Sequence, residues 1–235
     1  MKQLMNGLIA LVTVSAFFAG PAEAQPRGRY NEPTFRVQLG EFRPDGDSVY
    51  WDDKAFDFTG RAEDFEDTMG SVSYLHPLGP KLSLLVSGFF YEGTESQAYL
   101  AFEDEFGADI LHTTELELNA FTVGLHYKLT GPDAAVIPYV GAGGGLYVWR
   151  IAEFGDFIDF GTADLEIFDD FFEQEDEDLG WYVTAGLEVP VADFWSLFAE
   201  ARWDNAEGDL SGDFRGLGEL DLSGRSYSAG LSWSF

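Results

Sequence analysis

The last ten residues, SYSAGLSWSF (Ser226–Phe235), alternate in chemistry at every step. Tyr227, Ala229, Leu231, Trp233 and Phe235 fall on one side; Ser226, Ser228, Gly230, Ser232 and Ser234 fall on the other. A strict period of two is the signature of a β-strand with two unlike faces. Trp195–Asn205 repeats the pattern. Trp195, Leu197, Ala199, Ala201 and Trp203 share one face, which sends Phe198, Glu200 and Arg202 to the other. Trp195 and Trp203 stand eight residues apart, about 26 Å at ~3.3 Å per residue.

The same alternation recurs upstream. Strands are expected near Thr34–Arg43, Asp67–His76, Leu82–Glu92, Leu116–Leu129, Ile137–Arg150, Leu179–Val189, Trp195–Asn205 and Ser223–Phe235. Most are about ten residues long, enough for one tilted bilayer crossing. Their connections alternate in length. Residues 77–81, 130–133 and 190–193 are short and rich in Pro and Gly, whereas 44–66, 93–115, 151–178 and 206–222 are long. These features predict an all-β fold, an eight-stranded antiparallel up-and-down transmembrane β-barrel with long loops at one end. An even strand number places both termini at the short-turn end, the periplasmic side of a Gram-negative outer membrane, with the long loops extracellular.

Composition agrees. The 235 residues carry 42 acids and 13 Lys plus Arg, a net charge of −29, with 16% aromatics and no Cys. That charge argues against nucleic-acid binding, because the phosphate backbone recruits Lys and Arg. The absence of Cys removes disulfides and thiolate metal sites. At the N-terminus Lys2 precedes the apolar run Leu8–Ala19, then Gly20-Pro21 and the small-x-small motif Ala22-Glu23-Ala24. This reads as a secretory signal peptide, residues 1–24, cleaved after Ala24. Residues 25–235 form the barrel domain.

Cost decides which face meets lipid. A basic residue at the bilayer midplane costs about 2–4 kcal/mol on the lipid side. The Ser, Gly and charged faces therefore point into the lumen, the inverse of a water-soluble ligand-binding barrel. Arg36, Gln38, Ser71, Ser73, Ser83, Ser87, Thr122, His126, Lys128, Thr184, Glu188, Glu200 and Arg202 are expected inside, beside a glycine wall at Gly141, Gly143 and Gly145. Buried charges must pair, so a luminal network is predicted joining Arg36, Lys128 and Arg202 to Glu188 and Glu200. Such a network serves as packing or, alternatively, lines a narrow ion path. Trp and Tyr collect at membrane interfaces. Trp195 with Trp203, and Tyr139 with Trp149, are accordingly expected at the two edges of the apolar band, with Trp181 in the outer girdle and Tyr74 and Tyr127 in the inner one.

VIPYVGAGGGLYVW (Val136–Trp149) resembles the central strand of OmpA-like and related small porin-family outer-membrane barrels, and SYSAGLSWSF resembles their last strand. The resemblance implies that Trp233 and Phe235 are read by the barrel-assembly machinery. It implies a barrel and says little about activity. No peptidoglycan-binding role is implied, since the sequence stops at Phe235.

The charge lies in the connections. Positions 44–66, 92–115, 151–178 and 204–221 hold 33 of the 42 acids, against only Lys54, Arg61 and Arg215. Aromatics interleave with them, including Phe154, Phe157, Phe160, Phe168, Phe171 and Phe172. Function is expected on these loops, carried by the rigid barrel. The leading reading is a non-enzymatic structural or surface-interaction protein with an extracellular ligand or partner and no required cofactor. A small pore or transporter for ions or small solutes is the alternative. Glu173, Glu175, Asp176, Glu177 and Asp178 are the densest candidate for a divalent cation such as Ca2+, without the spacing of an EF-hand loop. A lipid A-modifying enzyme would need a Ser–His pair at the membrane edge. His76, His112 and His126 are the three His, and only His76 has a Ser nearby, Ser73.

Overall fold

The computed structural model describes residues 32–131, 134–162 and 165–235. The expected signal segment 1–24, and Pro132 and Asp133 of one short connection, lie outside the described residues. Eight long strands close into a barrel: β1 (Thr34–Pro44), β2 (Asp67–Pro77), β3 (Leu82–Glu103), β4 (Asp109–Lys128), β5 (Ile137–Asp159), β6 (Glu166–Pro190), β7 (Trp195–Asn205) and, after a small hairpin of β8 (Glu207–Asp209) and β9 (Glu219–Asp221), β10 (Gly224–Ser234). Each barrel strand pairs antiparallel with its neighbours, and β1 closes the ring against β10 from Thr34↔Ser234 to Pro44↔Gly224. Closure leaves no unpaired strand edge in hydrocarbon, the condition for a sheet to cross a membrane.

The outer surface supplies the apolar belt that lipid requires. Val37, Leu39, Val123, Leu125, Val140, Val183, Leu187, Leu197, Leu231 and Trp233 are exposed on it. An apolar band this continuous has no place on a water-soluble monomer. In β10, Tyr227 is 60% exposed while Ser226 and Ser232 are 1% exposed. The two faces therefore divide as their chemistry demands.

Two of the four long connections are not loops. Residues 93–115 and 151–178 are expected as loops; instead β3, β4, β5 and β6 continue through most of them, joined by a short turn at 104–108 and by the brief connection between Asp159 and Glu166. The strands run for 20 to 25 residues, about twice a bilayer crossing. The alternation persists past the belt with its outer partner changed from lipid to water. Leu116, Leu118, Trp149 and Ile151 stay buried on the inner face while Glu115, Glu117 and Arg150 lie on the outer.

The remaining connections fold over the mouth beside this four-stranded wall. Residues 44–66 contain a helix, α1 (Val49–Asp57), and a short 3-10 turn (Ala62–Phe65). In α1, Tyr50, Trp51 and Lys54 are the buried residues, a spacing that lies on one side of a helix. Trp51 packs edge-on against Phe65 at 5.2 Å and donates its indole N–H to the Asp221 carbonyl at 3.1 Å. Phe42, Met69, Phe89 and Tyr91 lie in the same cluster, with Phe214 and Leu220 from the hairpin segment. Gln174 of β6 ties that segment down, donating to the Asp209 carbonyl at 2.9 Å and accepting from the Ser211 amide at 2.7 Å.

Two girdle expectations are corrected. Tyr139 and Trp149 are each 1% exposed and point inward. They share the odd-numbered face of β5 with Gly141, Gly143 and Gly145, and no strand can turn one parity both ways. The glycines of facing strands make the room: a Cβ on Gly208 would lie 2.6 Å from the Trp149 ring, and one on Gly180 would lie 2.6 Å from the Tyr147 ring. Trp181, Trp195, Trp203 and Tyr127 are exposed on the outer face. Tyr74 keeps the outward register opposite Phe35, with its ring covered.

Candidate functional site

Alternation aims the ionic side chains of four strands, β1, β4, β6 and β7, into one lumen. Near its short-turn end, the Arg36 guanidinium donates to Glu188 Oε2 at 2.6 Å, and Lys128 Nζ stands 3.6 Å from the same oxygen. The Arg36 guanidinium is held between the Tyr139 and Phe198 rings at 4.8 and 4.7 Å. Planar guanidinium suits both contacts, the carboxylate and the ring faces. Glu200 is engaged by two neutral donors. It accepts from the Tyr139 hydroxyl at 3.0 Å and from the Gln38 amide at 3.4 Å.

Arg202 corrects the predicted network. Its partner is Asp204, to which Nε donates at 2.9 Å and Nη2 at 2.7 Å. Asp204 also accepts from the Tyr147 hydroxyl at 2.6 Å, and the Tyr182 ring lies 3.9 Å beneath the guanidinium. Residues two apart on a strand share a face, so Asp204 was legible as a partner for Arg202. At the strand's end it also falls within the acid-rich stretch 204–221, which hides its luminal place. Between these two ionic layers a cavity lined by Gln38, Ser71, Ser87, Thr184, Glu200 and Arg202 measures about 10 Å³, room for about one water.

A second buried polar cluster lies above the belt, and sequence reasoning did not anticipate it. Lys54 of α1 reaches into the four-stranded wall, with Nζ 2.7 Å from Glu153 Oε1. It also stands 2.9 Å from His112 Nε2, 3.0 Å from Thr114 Oγ1 and 3.4 Å from Gln97 Oε1. The Tyr50 hydroxyl donates to the same Glu153 oxygen at 2.6 Å. All of these side chains are buried. An ammonium only donates, so His112 accepts at Nε2 and is neutral. Its surroundings agree: burial first, and then the Lys54 charge, push the imidazole pKa down to about 4 against the opposing pull of Glu153. Burial likewise lowers the Lys54 pKa against Glu153, and burial together with Glu153 raises that of Tyr50 well above its usual value. Removing one partner of such a buried ion pair costs about 3–5 kcal/mol. The cluster therefore fastens α1 to the wall. Lys54 was visible as one of three cations among the loop acids, and the i, i+1, i+4 set Tyr50, Trp51 and Lys54 was the signal that it is buried.

The proposed cation ligands do not converge. Glu173, Glu175 and Glu177 face outward from β6 while Asp176 and Asp178 face inward, because they belong to a strand and not to a loop. Glu173 accepts from Arg150 at 2.9 Å and Asp178 from the Trp149 indole at 2.9 Å. Among the described residues no group of three or more His, Asp or Glu is arranged to hold a metal ion. An acidic recess of about 460 Å³ does open between α1 and the hairpin, lined by Asp47, Asp52, Glu207, Glu219 and Asp221.

The His residues are equally dispersed. Ser73 and His76 point to opposite sides of β2. His112 is engaged by Lys54, and His126 is fully buried in the lumen with its ring 4.5 Å from that of Tyr139. Trp233 and Phe235 lie on the outer surface, where Trp233 stacks on Trp195 at 6.2 Å and lies 5.0 Å from Phe235.

Comparison with known proteins agrees with this architecture. Residues 9–235 match the family described as outer membrane protein beta-barrel domain. Among solved structures, the outer membrane protein OprG from Pseudomonas aeruginosa shares the fold with a TM-score of 0.52 and 12% identity, over 88% of this chain and 98% of that one. Neisserial surface protein A aligns with a TM-score of 0.49 and 14% identity, over 87% and 97%. No curated protein sequence matches the chain significantly. With a match over nearly its whole length and an apolar belt around a closed eight-stranded ring, the chain belongs to the outer membrane protein beta-barrel family and resides in the outer membrane of a Gram-negative bacterium.

Proposed function

We propose that this protein is a non-enzymatic surface protein. Its barrel is a sealed support for an acidic extracellular structure built from α1, the β3–β6 wall and the β8–β9 hairpin. The observation that carries this reading is the closure of the lumen. Two ionic layers and their aromatic partners fill it, a cavity of about 10 Å³ is left between them, and α1 with its aromatic cluster covers the mouth. An eight-stranded ring has an interior just wide enough for side chains. The long-turn end faces outward from the cell, the termini face the periplasm, and Trp233 and Phe235 form the terminal signal for the barrel-assembly machinery.

The test is single-channel recording of the mature barrel, refolded and inserted into a planar bilayer, with and without millimolar calcium. Silence is expected in both conditions, with folding verified in the same preparation by heat-modifiable gel mobility. Reproducible discrete openings would replace this reading with that of a small pore, whose wall would be Arg36, Lys128, Glu188, Glu200 and Arg202.

A further inference from the structure

The outer face of the β5–β6 hairpin above the belt carries an apolar pair that the described residues leave partly exposed. Phe154 and Phe171 are directly opposite across the two strands. Their rings lie 6.3 Å apart and nearly parallel, and the residues are 36% and 53% exposed. Antiparallel pairing sets a definite sequence of residues on this face. One step toward the membrane is Ala152↔Glu173, and the next is Arg150↔Glu175. One step outward is Asp156↔Asp169, both exposed, and beyond it Ile158↔Ile167. The aromatic pair is thus bracketed by carboxylates. The one cation of the set, Arg150, is already shared among Glu115, Glu117 and Glu173.

Each feature has a cost that a partner would remove. Like charges directly opposite on a sheet repel, and Asp156 faces Asp169 across the hairpin. Two half-exposed phenylalanines on a polar wall lose free energy to water. Charge narrows the choice of occupant. A second copy of this chain, itself at −29, would be repelled, and so would an anionic lipid headgroup. We infer that this face, with Phe154 and Phe171 at its centre and Asp156 and Asp169 at its rim, docks a cationic amphipathic polypeptide segment. The partner's apolar side chains cover the two rings and its Lys or Arg side chains meet the carboxylates. This inference rests on the surface-protein reading and supplies its class of partner.

The test uses the full mature barrel in lipid nanodiscs and two fluorescently labelled peptides followed by anisotropy. One is an amphipathic Lys/Leu peptide; the other is oligolysine of equal charge. The wild type is expected to bind the amphipathic peptide more tightly. The double substitution Phe154→Ser and Phe171→Ser is expected to weaken that binding about tenfold, the equivalent of about 1.4 kcal/mol, and to leave oligolysine binding unchanged. Asp156→Asn with Asp169→Asn is expected to weaken both peptides and to flatten the salt dependence. Both variants lie on an exposed face, and gel mobility verifies their folding. Equal binding of the two peptides by the wild type overturns the inference, as does an unaltered affinity in the serine variant or the absence of binding to either. None of those results touches the sealed-lumen reading, which fails only on conductance.

Discussion

His112 shows how a single side chain sets a pH limit on the outer structure. Packed against Phe58 and Phe157 and facing Lys54 at 2.9 Å, it takes a proton only near pH 4. Freed from the cluster, it would titrate near the ordinary value of about 6.5. As pH falls below ~6.5, the released state gains a proton that the packed state refuses, so the packed state loses stability until pH falls to about 4. The attachment of α1 is therefore complete above ~6.5 and weakens between ~6.5 and about 4, by an amount on the order of 3 kcal/mol. Hydrogen-exchange protection factors for the Trp51–Ala55 amides, corrected for intrinsic rate, should fall across that window in the wild type. In His112→Gln the pH-dependent part of the fall should vanish. A fall of equal size in both proteins would assign the effect to other groups. The luminal place expected for His126 holds, whereas the sequence neighbours of His112 assign it no role. His112 bears on stability, and only its contact with a residue 58 positions away discloses it.

At the scale of the element, the decisive fact is that β3–β6 do not stop where the membrane stops. The reading of 93–115 and 151–178 as loops follows from strands sized for one bilayer crossing, and that length marks where lipid ends rather than where pairing ends. Hairpin pairing is indifferent to what the outer face touches. The inner face still carries Leu116, Leu118, Trp149 and Ile151, and these are what hold the wall against α1. The glycines opposite the large rings belong to the same design. At Gly180 a Cβ would meet the Tyr147 ring at 2.6 Å and the Asn205 carbonyl at 2.7 Å. Gly180→Val is expected to destabilise the top of the barrel by about 1–3 kcal/mol, the usual range for overpacking. A urea titration in detergent should read it as a lower midpoint. An unchanged midpoint would mean that the Tyr147 ring is free to swing aside.

Across the whole molecule, charge is segregated by height. Of the 42 acids, 33 lie in the outer connections with three cations, counted from the same positions. Such a structure repels itself, and screening relieves the repulsion over a Debye length of about 10 Å at 0.1 M salt. The outer structure should therefore resist proteolysis better at 0.15 M salt than at 0.01 M, by about 1 kcal/mol in apparent local stability. The membrane-embedded strands should show no such change. Faster cleavage of 206–222 at the higher salt would show that ion pairs such as Arg225–Asp45 outweigh the repulsion. The filling of the lumen belongs to this scale as well. It depends on residues from separate strands arriving at one height, which only ring closure arranges.

The sequence by itself determined the eight crossings, the lipid-facing sides of β7 and β10, the end at which the strands begin and end, and the concentration of acids at the other end. Those features are legible because the rules behind them are local: a strand repeats every two residues, and each residue on the lipid side is tested separately by hydrocarbon. The apolar set Tyr227, Leu231 and Trp233 needs no distant partner to declare its face. Only the tertiary structure decided that Tyr139 and Trp149 fill the lumen, that Glu200 is held by Tyr139 and Gln38, and that Lys54 joins Glu153 and His112. It also decided that the five acids from Glu173 to Asp178 are split between two faces. An aromatic ring is equally suited to a membrane interface and to a glycine-lined interior. Which it occupies depends on the space left by strands far away in sequence, and that space exists only once the ring has closed.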